Sequence, residues 1–145
     1  MSKLKCIIVE DEPLAAKTLA DYIALVPSLQ LEGVFKDAIL AGEHLREHAV
    51  DLIFLDIHLP KLRGIAFLKT LAAPPAVIIT TAYHQYAVEG FNLNVTDYLL
   101  KPYTLERFLV AVNKVKSAQS DKSRPNDAPP EKDFIFVSVQ KKMVK

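Results

Sequence analysis

Cysteine is nearly absent from this chain. The one thiol, Cys6, lies inside an apolar run, so no disulfide framework can form within the chain and a reducing compartment is expected. A lone cysteine among apolar residues reads as a small buried hydrophobe. Long apolar segments are lacking too. Met1-Ser2-Lys3-Leu4-Lys5 precedes no stretch of the ~20 apolar residues that a membrane-spanning helix needs, and no signal peptide is indicated. An excess of charge of one sign is also missing, since the formal net charge is +1. Residues 1–117 hold 12 basic and 13 acidic side chains, and residues 118–145 hold six and four. The main body therefore offers no basic surface suited to a nucleic-acid backbone. The expectation is a cytoplasmic protein without membrane contact.

What is present is material for a core. Half of the 145 residues are hydrophobic and 24% are charged, the composition of one globular domain with room for a further piece. Leu4 to Val9 reads as a buried strand that ends in Glu10-Asp11-Glu12. Pro13 suits the first turn of a helix, and Ala16, Leu19, Ala20 and Ile23 recur at helical spacing until Pro27. A weaker strand spans Leu29 to Phe35, and a short helix is marked by Ala38, Ala41 and Leu45. Val50 to Leu55 is an apolar strand that runs into Asp56, with Pro60 forcing a loop. Ile65, Leu68 and Leu71 follow Gly64 as a helical stripe, and Pro74-Pro75 breaks it. Ala76 to Ile79 is a fourth strand ending in Thr80-Thr81, a helix is predicted over 85–91, and Tyr98-Leu99-Leu100 is a fifth strand ending in Lys101-Pro102. Thr104 is the expected N-cap of a last helix whose Leu105, Phe108, Leu109, Val112 and Val115 form a core-facing stripe. Glu106, Arg107 and Lys114 are assigned to its outer face.

Five apolar strands alternating with five amphipathic helices imply an α/β fold with a parallel sheet covered on both faces. In such sheets ligands sit beyond the carboxyl ends of the strands, where the strand order reverses. Every polar residue of interest falls at such an end: Glu10 and Asp11, Asp56, Thr80 and Thr81, and Lys101. An aspartate that ends a buried strand can cap the following turn, and capping explains one such residue but not the whole set. With the order 2-1-3-4-5 the acids of the first and third strands would share a crevice. Raised pKa values or a bound cation must then relieve their repulsion. Hard oxygen ligands suit Mg²⁺. A lysine and a hydroxyl opposite supply a counter-charge and a donor for a phosphoryl group, and a carboxylate can attack phosphorus to give an aspartyl phosphate.

The runs Val9-Glu10-Asp11-Glu12-Pro13, Asp56-Ile57-His58-Leu59-Pro60 with Gly64, Thr80-Thr81-Ala82-Tyr83 and Asp97-Tyr98-Leu99-Leu100-Lys101-Pro102 occur together and in this order. Over roughly residues 3–118 the chain resembles the receiver domains of bacterial two-component response regulators. The resemblance implies a flavodoxin-like, doubly wound (βα)5 sandwich with strand order 2-1-3-4-5. It implies that Asp56 accepts phosphate from a sensor histidine kinase. Asp11, Asp56 and the backbone carbonyl of His58 would hold Mg²⁺, with Glu10 contacting it through water. Thr81 would hydrogen-bond the phosphoryl oxygen, Lys101 would pair with it across a cis Lys101-Pro102 bond, and Tyr98 matches an aromatic switch. Many relatives carry Asp at the position of Glu10, so altered metal affinity is expected. His58 and Tyr83 lie where the family tunes phosphoryl lifetime, and their bulk implies slow self-dephosphorylation. Beyond this self-phosphorylation and self-dephosphorylation, no enzyme activity is implied. Phosphorylation would favour a homodimer through the face of the fourth helix, fifth strand and fifth helix.

The remaining stretch divides at a change of composition. The receiver is placed at 1–118 and a Ser-, Pro- and charge-rich linker at 119–133. Phe134 to Val139 opens a new strand pattern at 134–145. With Glu12-Pro13-Leu14-Ala15 and Thr81-Ala82-Tyr83 this is similar to LytTR-type transcription regulators, and it implies the start of a truncated DNA-binding domain. DNA contact would then belong to the parent protein's missing domain. Three rival readings fit less well. An aspartyl-phosphate phosphatase needs a second acid two residues after the nucleophile, where this chain has His58, and an FMN module needs a Ser/Thr/Gly-rich loop where it has three acids. A pseudo-receiver is disfavoured by the intact Asp11, Asp56 and Lys101. His44-Leu45-Arg46-Glu47-His48 matches a zinc-peptidase pattern, but no third ligand accompanies it.

Overall fold

The computed structural model describes residues 3–82 and 95–122. The chain divides into two compact units, Met1–Val115 and Lys116–Lys145. The first contains the sheet; in the second, the described residues belong to the end of the last helix.

The chain order is β1 (Leu4–Val9), α1 (Pro13–Ala24), β2 (Leu29–Phe35), α2 (Ala38–Glu47), β3 (Leu52–Asp56), α3 (Gly64–Lys69), β4 (Ala76–Thr81), β5 (Asp97–Leu100) and α4 (Leu105–Lys122). All strand pairings are parallel, in the order β2-β1-β3-β4-β5. The α/β reading and the 2-1-3-4-5 order therefore hold.

The unbroken apolar runs of the inner strands are explained by burial on both faces. Successive side chains alternate: Cys6, Ile8, Leu52, Phe54, Ile78 and Leu99 pack with Ala16, Leu19 and Ile23 of α1 and with Phe108, Ala111, Val112 and Val115 of α4. Ile7, Val9, Ile53, Leu55, Val77 and Ile79 face the other way, against Ala38 and Ala41 of α2 and Phe67 and Leu68 of α3. Fully burying each Leu, Ile, Val or Phe stabilises by roughly 1.5–3 kcal/mol, so this two-sided core gives the strand ends a rigid frame. Burial, and secondarily the charges of Glu32 and Asp51, push the Cys6 thiol up to about 12, an inert packed sulfur.

Three expectations need correction. The strand expected over Val50 to Leu55 runs from Leu52 to Asp56, so the acid closes the strand itself. Leu109 is 38% exposed, whereas Ala111 is fully buried; the stripe of α4 is narrower than the apolar pattern suggests because Phe108 fills the space over Phe54, with ring centroids 5.6 Å apart. The helix also continues to Lys122, into the stretch read as linker from 119, since no helix breaker precedes Pro125. The helix predicted over 85–91 and Tyr83 lie outside the described residues.

Candidate functional site

Strand polarity brings the acids together. The chain leaves β1 for α1 on one face of the sheet and leaves β3 for α3 on the other, so a crevice opens between neighbouring strand ends. Val9 pairs with Leu55, which sets Glu10 and Asp56 one residue beyond a shared level. Carboxylate oxygens of Glu10, Asp11 and Asp56 lie within 4.8 Å of one another, with Glu10 and Asp56 buried and Asp11 exposed. On the other flank, Asp56 pairs with Thr80 and Thr81 with Leu100, so β4 ends beside β3 and β5 beside β4.

Local contacts fix each group. The Glu10 Oε2 accepts the Glu12 amide at 3.2 Å, at the start of α1, where Pro13 occupies the first turn. Its Oε1 accepts the Lys101 ammonium at 2.8 Å. Asp56 Oδ1 accepts the His58 amide at 3.2 Å, and its Oδ2 lies 3.8 Å from the Lys101 Nζ. Thr81 is fully buried, and its carbonyl accepts the Lys101 amide at 2.7 Å, which ties the exit of β5 to the end of β4. The Lys101-Pro102 bond is cis. Tyr98 is half-buried and packs on the core face shared by α2 and α3. The loop after Asp56 is closed by Gly64, whose amide donates to the Ile57 carbonyl at 2.9 Å. A Cβ on Gly64 would stand 2.5 Å from the Asp56 carbonyl oxygen and 3.0 Å from the Ile57 Cα, so only glycine permits this approach. Lys61 in the same loop adopts a left-handed φ of 70° and pairs with Asp37, the N-cap of α2, at 3.4 Å.

The electrostatics match the geometry. Burial, reinforced by the Glu10 charge, pushes the Asp56 carboxyl up to about 7, against the opposing pull of Lys101 and the His58 amide. One ammonium faces three carboxylates, which leaves a net negative crevice that a divalent cation would neutralise. The donors are hard oxygens, and the exposed Asp11 leaves a side open to water. This set suits Mg²⁺ better than a soft transition metal. By contrast, His44 and His48 stack on each other, centroids 4.2 Å apart and 12° between planes. Parallel stacked rings do not turn their nitrogens towards one ion.

Residues 6–113 match the response regulator receiver domain family. The chain belongs to this family. Protein MrkE of Klebsiella pneumoniae is 33% identical over 150 residues, covering 98% of this chain and 56% of MrkE. The transcriptional regulatory protein LytR of Staphylococcus aureus is 37% identical over 120 residues, covering 81% of this chain and 49% of LytR. The crystal structure of the response regulatory domain of MrkE superimposes with a TM-score of 0.75 at 36% identity, over 81% of this chain and 99% of that one. The chain spans about half the length of the curated relatives it matches. No helix among the described residues of this receiver is long and apolar enough to cross a membrane.

Glu10, Asp11, Asp56, His58, Thr81 and Lys101 lie at or just beyond the carboxyl ends of their strands, whereas Tyr98 lies inside β5, level with Ile79 of β4. What the sequence reading missed in the receiver is a second polar cluster on β5. Asp97 is 4% exposed and accepts both guanidinium nitrogens of Arg107 at 2.9 Å, with the Lys114 Nζ at 3.2 Å. The apolar stripe of the last helix assigns Arg107 and Lys114 to its outer face. They turn to β5 because a buried carboxylate there must be paired. The only sequence signal was an acid at the start of a short buried strand.

Proposed function

We propose that this receiver is a phosphoacceptor switch in which Asp56 takes a phosphoryl group from a sensor histidine kinase. The observation that carries the reading is the meeting of Glu10, Asp11 and Asp56 within 4.8 Å, with the Lys101 ammonium 3.8 Å from Asp56. An Asp56 carboxylate oxygen forms the new bond to phosphorus, while the bond from phosphorus to the donor's imidazole nitrogen breaks and its electron pair leaves with that nitrogen. Asp11, Asp56 and the His58 backbone carbonyl would hold Mg²⁺, and Glu10 would contact it through water. The bound ion supplies charge neutralisation between the carboxylates and the incoming phosphoryl oxygens. Lys101 stabilises the negative charge on the opposite side, and the Thr81 hydroxyl donates to a phosphoryl oxygen.

The added charge draws Thr81 and Lys101 towards Asp56 and lets Tyr98 turn inward, changing the surface of β5, α4 and the helix expected over 85–91. A homodimer on that face presents paired copies of an output domain. Similarity to LytR supports a DNA-binding LytTR-type output in the parent protein, following a receiver whose last helix ends at Lys122 and a connecting stretch to 133, with DNA contact confined to that output. The receiver works in the cytoplasm, and its own chemistry is limited to self-phosphorylation and slow self-dephosphorylation, slowed by His58 and Tyr83. Incubation with acetyl phosphate and Mg²⁺ tests the site. Mass spectrometry is expected to find one acid-labile phosphoryl group on the wild type and none on Asp56→Asn or in EDTA. An unmodified wild type overturns the reading.

A further inference from the structure

The ion-pair cluster on β5 has a place in the same site. We propose that Arg107 is a positioning residue for Lys101, acting by closing the β5–α4 connection on itself. This rests on the reading of Lys101 as the counter-charge of the phosphoryl group.

β5 is a four-residue edge strand, hydrogen-bonded among the described residues to β4 alone. Such a strand has little of its own to hold its exit in place, yet Lys101 stands at that exit. The chain then passes through Pro102 and Tyr103 to Thr104, whose Oγ1 accepts the Arg107 amide at 3.1 Å and whose carbonyl accepts the Phe108 amide at 3.0 Å. From this capped first turn the Arg107 side chain reaches back to where β5 began. Its Nη1 donates to Asp97 Oδ2 and its Nη2 to Asp97 Oδ1, each at 2.9 Å, and the Nη2 also donates to the Tyr98 carbonyl at 2.9 Å. Asp97 Oδ1 in turn accepts the Tyr98 amide at 2.8 Å. The connection that carries Lys101 is thus anchored at Thr81 by its amide and pinned at both ends by one planar guanidinium. A bidentate fork fixes orientation as well as distance, which a point-charge ammonium does not.

Removing the fork does not strand the buried Asp97. The Lys114 ammonium at 3.2 Å and the Tyr98 amide still compensate its charge, so the effect falls on the alignment of β5 against α4 more than on charge balance. Small misplacements of a charged group at a reacting centre are costly in rate, up to about 100-fold per ångström.

The experiment uses the full chain, acetyl phosphate and Mg²⁺, with Arg107→Gln, Arg107→Lys, Lys101→Ala and the Arg107→Gln/Lys101→Ala double variant. Arg107→Gln is expected to slow Asp56 phosphorylation about tenfold, and to change the rate by less than about twofold when Lys101 is already Ala. Arg107→Lys, which keeps the charge beside Asp97 and loses the fork, is expected to stay slow. In ¹⁵N NMR the Lys101 amide and Nζ signals are expected to move in both Arg107 variants while those of Lys17 and Lys61 stay put. The proposal is overturned by unmoved Lys101 signals, by a near-wild-type rate in Arg107→Gln, or by an equal slowing in the Lys101→Ala background, which is the mark of general destabilisation. An unphosphorylated wild type is a different result: it removes the reading of Asp56. Should Arg107→Gln not fold, the rate and NMR signals of Arg107→Lys decide in the same way.

Discussion

Asp56 shows how a single residue is placed at a cost. It closes a strand buried on every residue, and one backbone amide and a lysine at 3.8 Å do not offset its burial beside Glu10. Its folded pKa, about 7, stands above the ordinary 3.8, so the native state holds the proton more tightly than the unfolded chain does. The associated stability is full below about pH 4 and is lost as the pH rises through about 7. Asp56→Asn escapes that loss. It is expected to be more stable than wild type by about 1–3 kcal/mol at pH 8 in EDTA, with the difference vanishing near pH 4, as measured by urea unfolding. Gly64 is placed by the opposite constraint, a lack of space. Gly64→Ala drives a methyl into the Asp56 carbonyl, and a loss of about 1–3 kcal/mol together with slower acetyl-phosphate labelling is expected. A variant of unchanged stability and rate would show that the loop gives way freely.

At the scale of elements, α4 separates pattern from packing. Its apolar positions include Leu109, yet helix rotation turns Leu109 outward at 38% exposure and sends Phe108 fully inside, between Phe54 and Tyr22. Phe108→Ala is therefore expected to cost about 3–5 kcal/mol, and Leu109→Ala under about 1 kcal/mol, in the same unfolding assay. Equal costs would mean that both side chains share the core. The residues of β1, β3 and β4 were legible as buried strands because burial on both faces leaves no polar alternation. The bounds of β3 were less so, since Val50 is as apolar as the strand it precedes and Asp56 is polar yet belongs to it. The roles of Arg107 and Lys114 were hidden because a surface cation and a cation paired to a buried acid have the same spacing along a helix.

For the whole molecule, the topology makes the crevice and the crevice carries a charge surplus. A cation that binds the folded state alone raises stability by about 2.7 kcal/mol at 100 times its dissociation constant. The unfolding midpoint of the wild type is expected to rise with Mg²⁺ and that of Asp11→Asn to rise far less. A response that survives Asp11→Asn would place the ion elsewhere.

The sequence by itself determined the alternation of strands and helices, the acids, hydroxyls and lysine that end the strands, and the family to which they point. These are local properties: apolar period, cap and turn chemistry, and residue type at a strand end. Tertiary structure alone decided that Glu10 reaches Lys101 more closely than Asp56 does, that Gly64 touches the Asp56 backbone, and that Arg107 grips Asp97. Each of those joins residues that the sheet and its crossovers bring together, and no spacing along the chain encodes their distances.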